Sequence, residues 1–126
     1  SWGWAAGQMI STYDDMLIWA RALGTGALLS EEAFAERTDW VTLPPNTPES
    51  AYGFGVGIRH GWIGHEGELP GYNAMVGYRP DLETALVVLA NSDINGPDGQ
   101  SPVTTVFESW STIINREYPL PPVSGS

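Results

Sequence analysis

Tyr52-Gly53-Phe54-Gly55-Val56-Gly57-Ile58 and, a few positions on, Gly64-His65-Glu66-Gly67-Glu68-Leu69-Pro70-Gly71-Tyr72 decide how this chain is read. In the first stretch bulky residues alternate with glycines, the period of a strand with one bulky face and one nearly bare face. A bare face predicts close approach by a helix or another backbone. In the second stretch glycines flank a lone histidine on a segment that reads as extended, which points to a reactive site, since imidazole exchanges protons near neutral pH. The strand containing it runs from about Trp62 to Glu68. Asn73 to Tyr78 and Thr84 to Ala90 are two further strand-like runs, joined by Arg79-Pro80-Asp81-Leu82-Glu83, and predict an antiparallel hairpin.

Helices flank these strands. Thr12 with Asp15 three residues on is a capping-box-like start, and Met16, Leu17, Trp19, Ala20 and Leu23 recur at helical spacing until Gly24, so a helix spans about 12–23. Ser30 ahead of Glu31 and Glu32 opens a second, short helix that Ala33, Phe34 and Arg37 carry to about Asp39. Pro44, Pro45 and Pro48 with Asn46 mark a surface loop. Ser101-Pro102 starts a last helix whose apolar stripe, Val103, Val106, Phe107, Trp110, Ile113 and Ile114, should lie on the sheet. The pattern is α+β: an antiparallel sheet with helices packed on it, over residues 1–117, followed by a flexible tail, 118–126, rich in Pro, Gly and Ser. An open sheet of three or four strands leaves two edges that a complete domain protects, so the chain reads as a C-terminal portion. It also opens on Ser1-Trp2 without a methionine, as an excised piece would.

The 126 residues and 42 % hydrophobic content suit one domain or part of one. A net charge of −10, from 15 acidic and 5 basic residues, makes nucleic acid and anionic membrane poor partners. With no cysteine there is neither a disulfide nor a thiolate metal site, and the redox compartment stays open. Apolar runs such as Thr84 to Ala90 are too short to span a bilayer. All 5 basic residues are arginines, so the chain holds no Ser-x-x-Lys motif.

Ser1-Trp2-Gly3-Trp4-Ala5-Ala6-Gly7-Gln8-Met9-Ile10-Ser11-Thr12, the Tyr-Gly-x-Gly segment, His65-Glu66-Gly67 and Leu86-Val87-Val88-Leu89-Ala90-Asn91-Ser92 stand in one collinear order over roughly residues 1–115. Together they resemble the C-terminal part of the serine β-lactamase and penicillin-binding-protein superfamily, closest to exocellular D-alanyl-D-alanine carboxypeptidases, related esterases and class C β-lactamases. The resemblance implies a β-lactamase/transpeptidase-like domain and a serine hydrolase that cleaves an ester or amide through an acyl-enzyme, with no cofactor. In that family Ser-x-x-Lys, Tyr-x-Asn and Lys-Thr-Gly or His-Thr-Gly converge on one cleft, and only the third has a counterpart here. It implies that His65 replaces the strand cation or hydrogen-bond donor, that Gly67 leaves room for substrate, and that the backbone N–H of Glu68 forms half of an oxyanion hole. It likewise implies that Trp2 and Tyr72 wall the substrate pocket. Glu66 departs from the usual Thr or Ser and, with Glu68 two residues on, disfavours a substrate that bears a carboxylate. The nucleophile is then expected from a companion N-terminal segment, with that segment or self-association covering the open edges, a small-molecule or peptide substrate, and an exported location. The chain alone is expected to be inactive.

Plainer readings compete. His65 can be a hydrogen-bonded strand histidine, and the whole a non-catalytic binding or scaffold module that keeps the fold. His60 beside Gly61 reads as a surface turn. A metal site from His60, His65, Glu66 and Glu68 would need both faces of a strand and is not expected. Asn91 to Gly96 begins like a calcium loop, but Pro102 stands where the bidentate Glu belongs. Trp19 and Trp110 belong to helix stripes and Trp40 and Trp62 to partly buried positions, leaving Trp2 and Trp4 as cleft tryptophans.

Overall fold

The computed structural model describes residues 3–42 and 50–120. Trp2, the prolines of the 43–49 segment and the end of the tail lie outside them. A short helix α1 (Trp4–Gly7), which the sequence reading did not include, precedes α2 (Tyr13–Thr25). Thr12 Oγ1 accepts from the Asp15 N–H at 3.2 Å, the N-cap bond expected of that pair, and donates to Asp15 Oδ2 at 2.8 Å, so the carboxylate bonds the Thr12 hydroxyl where a full capping box would engage its backbone N–H. The helix runs past Gly24 and ends at Gly26, whose φ of +69° is the left-handed C-cap. Gly24 serves packing, not termination: a Cβ there would lie 2.7 Å from the Tyr78 side chain. Ser30 caps α3 (Glu31–Arg37) by accepting from the Ala33 N–H.

Five antiparallel strands follow in sheet order β1 to β5: β1 (Ser50–Tyr52), β2 (Gly57–Arg59), β3 (Trp62–Leu69), β4 (Tyr72–Arg79) and β5 (Thr84–Ala90). The 52–58 run is therefore not one strand. Gly55 takes φ +66°, the Gly53 N–H reaches back to the Val56 carbonyl at 2.8 Å, and the chain reverses between β1 and β2. The expected close approach is real but local: the Phe54 N–H donates to the Arg37 carbonyl at 3.0 Å, and a Cβ on Gly53 would sit 2.1 Å from that oxygen. Val41 bridges to Tyr52 beyond β1, whereas β5 has no outer partner among the described residues.

The register sorts side chains by face. Ile63, Val76 and Val87 join Ala20 and Leu23 of α2 and Val56 in the main core. On the opposite face α4 (Pro102–Glu117) buries Val103 and Phe107, and Phe107 meets Trp62 edge-on with ring centroids 5.7 Å apart. Only part of the expected stripe of α4 lies on the sheet, because Val106, Trp110 and Ile113 are 42–54 % exposed on its flank. A buried polar knot locks α4 to the sheet. Fully buried Arg79 grips Asp81 through Nε and Nη2 at 2.9 and 2.8 Å and donates from Nη1 to Asn115 Oδ1 at 2.8 Å. Asn115 Oδ1 also accepts from Trp62 Nε1 at 3.1 Å, and its Nδ2 donates to the His60 carbonyl. That carbonyl belongs to the turn between β2 and β3, where His60 is exposed with φ +50°.

Candidate active site

β2 ends its pairing with β3 at Gly57 opposite Gly64, while β3 continues through His65 to Leu69 with β4 alone beside it among the described residues. Among those residues the margin of β3 from His65 onward is thus open. Hairpin geometry fixes what the margin presents. Leu69 and Tyr72 close the two-residue Pro70-Gly71 turn as a hydrogen-bonded pair, so Gly67/Ala74 and His65/Val76 are hydrogen-bonded pairs as well. The N–H and C=O of Glu66 and Glu68 then face away from β4, toward the side that β2 has vacated. The local packing agrees: Gly64 O lies 3.8 Å from where a Gly57 Cβ would stand, and Val76 O only 1.9 Å from where a Gly64 Cβ would stand. Any side chain at position 64 would hit the Val76 carbonyl, so only glycine passes there.

Alternation places His65, Gly67 and, across the turn, Tyr72 on one face, and Glu66 and Glu68 on the other. The His65 ring is exposed and folds over the margin. Its Nδ1 bonds the Glu66 carbonyl, and its Nε2 lies 2.8 Å from Tyr52 Oη, with the two rings in an edge contact at 5.9 Å. Among the described residues nothing lies within 4 Å of a Cβ built on Gly67, so they leave the ground beside that glycine open. Tyr72 is 64 % exposed, and the Leu69–Tyr72 end of the hairpin is about 13 Å along the strand from His65. Glu66 Oε2 accepts weakly from Thr104 Oγ1 of α4 at 3.4 Å. Trp4 is 77 % exposed.

A groove of about 380 Å³ runs along this region, lined by Tyr52, Arg59, His65, Glu66 and Phe107 over a floor of Gly57, Gly64 and Gly77. The three glycines stand side by side on β2, β3 and β4. The bare strand face expected of Gly53, Gly55 and Gly57 does not form, because the run reverses; of the three only Gly57 lies in this floor, beside glycines of β3 and β4. Arg59 pairs with Glu108 of α4 at 2.8 Å at its rim. A second, more polar hollow of about 250 Å³ lies between Glu66, Glu68, Asn73 and the start of α4. No cluster of metal-ligating side chains occurs among the described residues.

A Beta-lactamase family model matches residues 1–108 of the 126. The chain belongs to the Beta-lactamase family. Among solved structures it is similar to a D-stereospecific amidohydrolase from Streptomyces sp., with 28 % identity and a TM-score of 0.67 over 91 % of this chain. The likeness covers 32 % of that protein, so this Beta-lactamase family chain spans about a third of the length of the structure it matches. The antiparallel sheet with helices on it, expected from the strand and helix pattern, is the fold of that family member.

Of the residues singled out in the sequence, the structure brings His65, Gly67 and the Glu68 amide to one strand margin and sets Tyr72 at the hairpin end. Trp2 lies outside the described residues. Tyr52 was missed: it reads in the sequence as one more bulky strand residue. Its pairing with His65, thirteen positions away, follows only once the β1–β2 reversal is known.

Proposed function

We propose that this chain is the part of a serine acyl-transfer hydrolase that supplies the third motif strand, with cleavage of an ester or amide proceeding through an acyl-enzyme. One observation carries the reading: β3 overhangs β2 at His65, so the imidazole and an outward-facing Glu68 amide share one margin that is open among the described residues. Family membership and the likeness to an amidohydrolase support it. A hydroxyl from a companion segment attacks the carbonyl, the imidazole of His65 handles the proton, and the Glu68 N–H holds half of the developing oxyanion. Such an amide is worth about 3 kcal/mol of barrier. Gly67 and Tyr72 bound the substrate's path, and the unpaired edge of β5 is a seat for the companion segment.

The acyl group is best neutral or amine-bearing. Glu66 lines the groove and Glu68 follows on the same face, and each opposes a substrate carboxylate by about 1 kcal/mol or more at partly solvated spacing. A fluorophosphonate probe tests the reading. The protein carrying its companion segment should label covalently on a serine outside these 126 residues, and His65→Gln should slow labelling. Repeated failure to label would favour a binding module. Glu66→Thr tests the substrate class: it should improve turnover of carboxylate-bearing amides relative to neutral ones.

A further inference from the structure

Both ring nitrogens of His65 have partners, and the partners dictate the hydrogens. The Glu66 carbonyl can only accept, so Nδ1 carries the ring hydrogen. In the neutral ring Nε2 is then a lone pair, and the 2.8 Å contact with Tyr52 is an O–H···N bond donated by the phenol. Tyr52 is 43 % exposed and lines the groove, so with its hydrogen committed to His65 its oxygen offers lone pairs to whatever lies there.

We propose that Tyr52 is the positioning residue of His65, favouring the Nδ1–H tautomer together with the Glu66 carbonyl and converting the ring's charge into the polarity of the hydroxyl that the groove sees. When His65 takes up a proton, Nε2–H donates to Oη and the phenol hydrogen turns toward the groove. The phenol keeps its own hydrogen throughout, the added proton rests on the ring, and no other bond changes. The same contact thus accepts from the groove beside a neutral ring and donates to it beside a charged one. Among the described residues the other charged groups lining the groove with the pair are Arg59 of β2, tied to Glu108 of α4, and Glu66 of β3. In the hydrolase reading, on which only this last consequence rests, a groove-bound hydroxyl passes its proton to Oη as the phenol proton passes to Nε2. The products are an alkoxide, a neutral phenol and an imidazolium.

The chain contains 2 histidines, so long-range ¹H–¹⁵N correlation spectra of ¹⁵N-histidine-labelled protein are simple, with turn residue His60 as internal reference. At a pH where the ring is neutral, His65 should show a protonated Nδ1 and an unprotonated Nε2. Tyr52→Phe should move the Nε2 resonance, which loses its hydrogen-bond donor, and weaken the preference for Nδ1–H, leaving His60 unchanged. An Nε2–H tautomer in the unmodified protein, or an unaltered His65 spectrum in Tyr52→Phe, overturns the proposal. Should that variant not fold, fluorotyrosine at position 52 keeps the shape and acidifies the phenol, and the Nε2 resonance must move; if it stays, the proposal fails. These readouts need neither substrate nor nucleophile, so their failure leaves the hydrolase reading untested by them and is distinct from a failure to label.

Discussion

Asn115→Leu should be the most damaging single change on α4 that removes no apolar volume. The Asn115 oxygen accepts from Trp62, 2 % exposed, and from Arg79, 0 % exposed. Leucine of similar size leaves the indole N–H and one guanidinium N–H buried without acceptors. An unsatisfied buried neutral donor costs about 1–3 kcal/mol and a charged one more, so the loss should be about 3–5 kcal/mol. The third bond, to the His60 carbonyl in an exposed turn, adds little because water replaces it. Against a stability of about 5–15 kcal/mol for a domain this is a large fraction. Urea unfolding followed by tryptophan fluorescence should show a lower midpoint at unchanged slope. The mechanism predicts a rescue as well: in the Trp62→Phe background no indole N–H is stranded, and the penalty for Asn115→Leu should shrink by about 1–2 kcal/mol. A loss under about 1 kcal/mol, or a double mutant with no coupling, would refute the claim that stranded donors set the cost.

The two glycines on either side of the His65-Glu66 pair should behave oppositely. Gly64→Ala drives a Cβ to within 1.9 Å of the Val76 carbonyl and should cost about 2 kcal/mol or more in denaturant midpoint. Gly67→Ala meets nothing within 4 Å among the described residues, should change stability by no more than about 0.5 kcal/mol, and, on the proposed function, should slow probe labelling of the protein carrying its companion segment by about tenfold or more. Asp81 is held below its ordinary 3.8 chiefly by the hydrogen bonds from Arg79, with burial opposing. A depressed carboxylate stabilises the fold fully above its unfolded pKa, and that contribution fades as pH falls through the lower folded value. The gap in unfolding midpoint between the natural chain and Asp81→Asn should therefore hold steady from neutral pH to near 3.8 and close below it; a gap that widens on acidification would contradict the assignment.

Local signals were legible where the physics is local. Thr12 and Ser30 each cap a helix with their own side chains, and Pro80 to Glu83 turns the chain between β4 and β5 through the local bond from the Glu83 N–H to the Pro80 carbonyl. The 52–58 run misled because alternation says nothing about chain reversal. What decides it is the left-handed Gly55 and the Arg37 carbonyl against Gly53, and the second of these comes from a helix outside the run. The α4 stripe misled in another way. Val103 and Phe107 turn onto the sheet, while Arg79 and Trp62 fasten Asn115 and so fix the helix's rotation, leaving Val106, Trp110 and Ile113 to one side. His65 stood out because a lone histidine among glycines has little packing to do, whereas Tyr52 became visible only with the register of three strands.

The overhang of β3 is where stability and chemistry part company. An uncovered strand margin invites pairing with other chains unless charge or shape discourages it. Glu66 and Glu68 on this margin, in a chain of net charge −10, discourage such pairing while leaving their own amides facing outward. Had β2 run on past Gly57, ladder hydrogen bonds would have engaged the Glu68 N–H, and the His65 ring would have had no free margin to fold over. The Gly53–Val56 reversal keeps β2 short, and the same reversal sets β1 so that Tyr52 reaches His65. Lengthening β2 by replacing Gly55, whose φ of +66° suits no β-branched residue, would therefore seal the margin and part Tyr52 from its partner together.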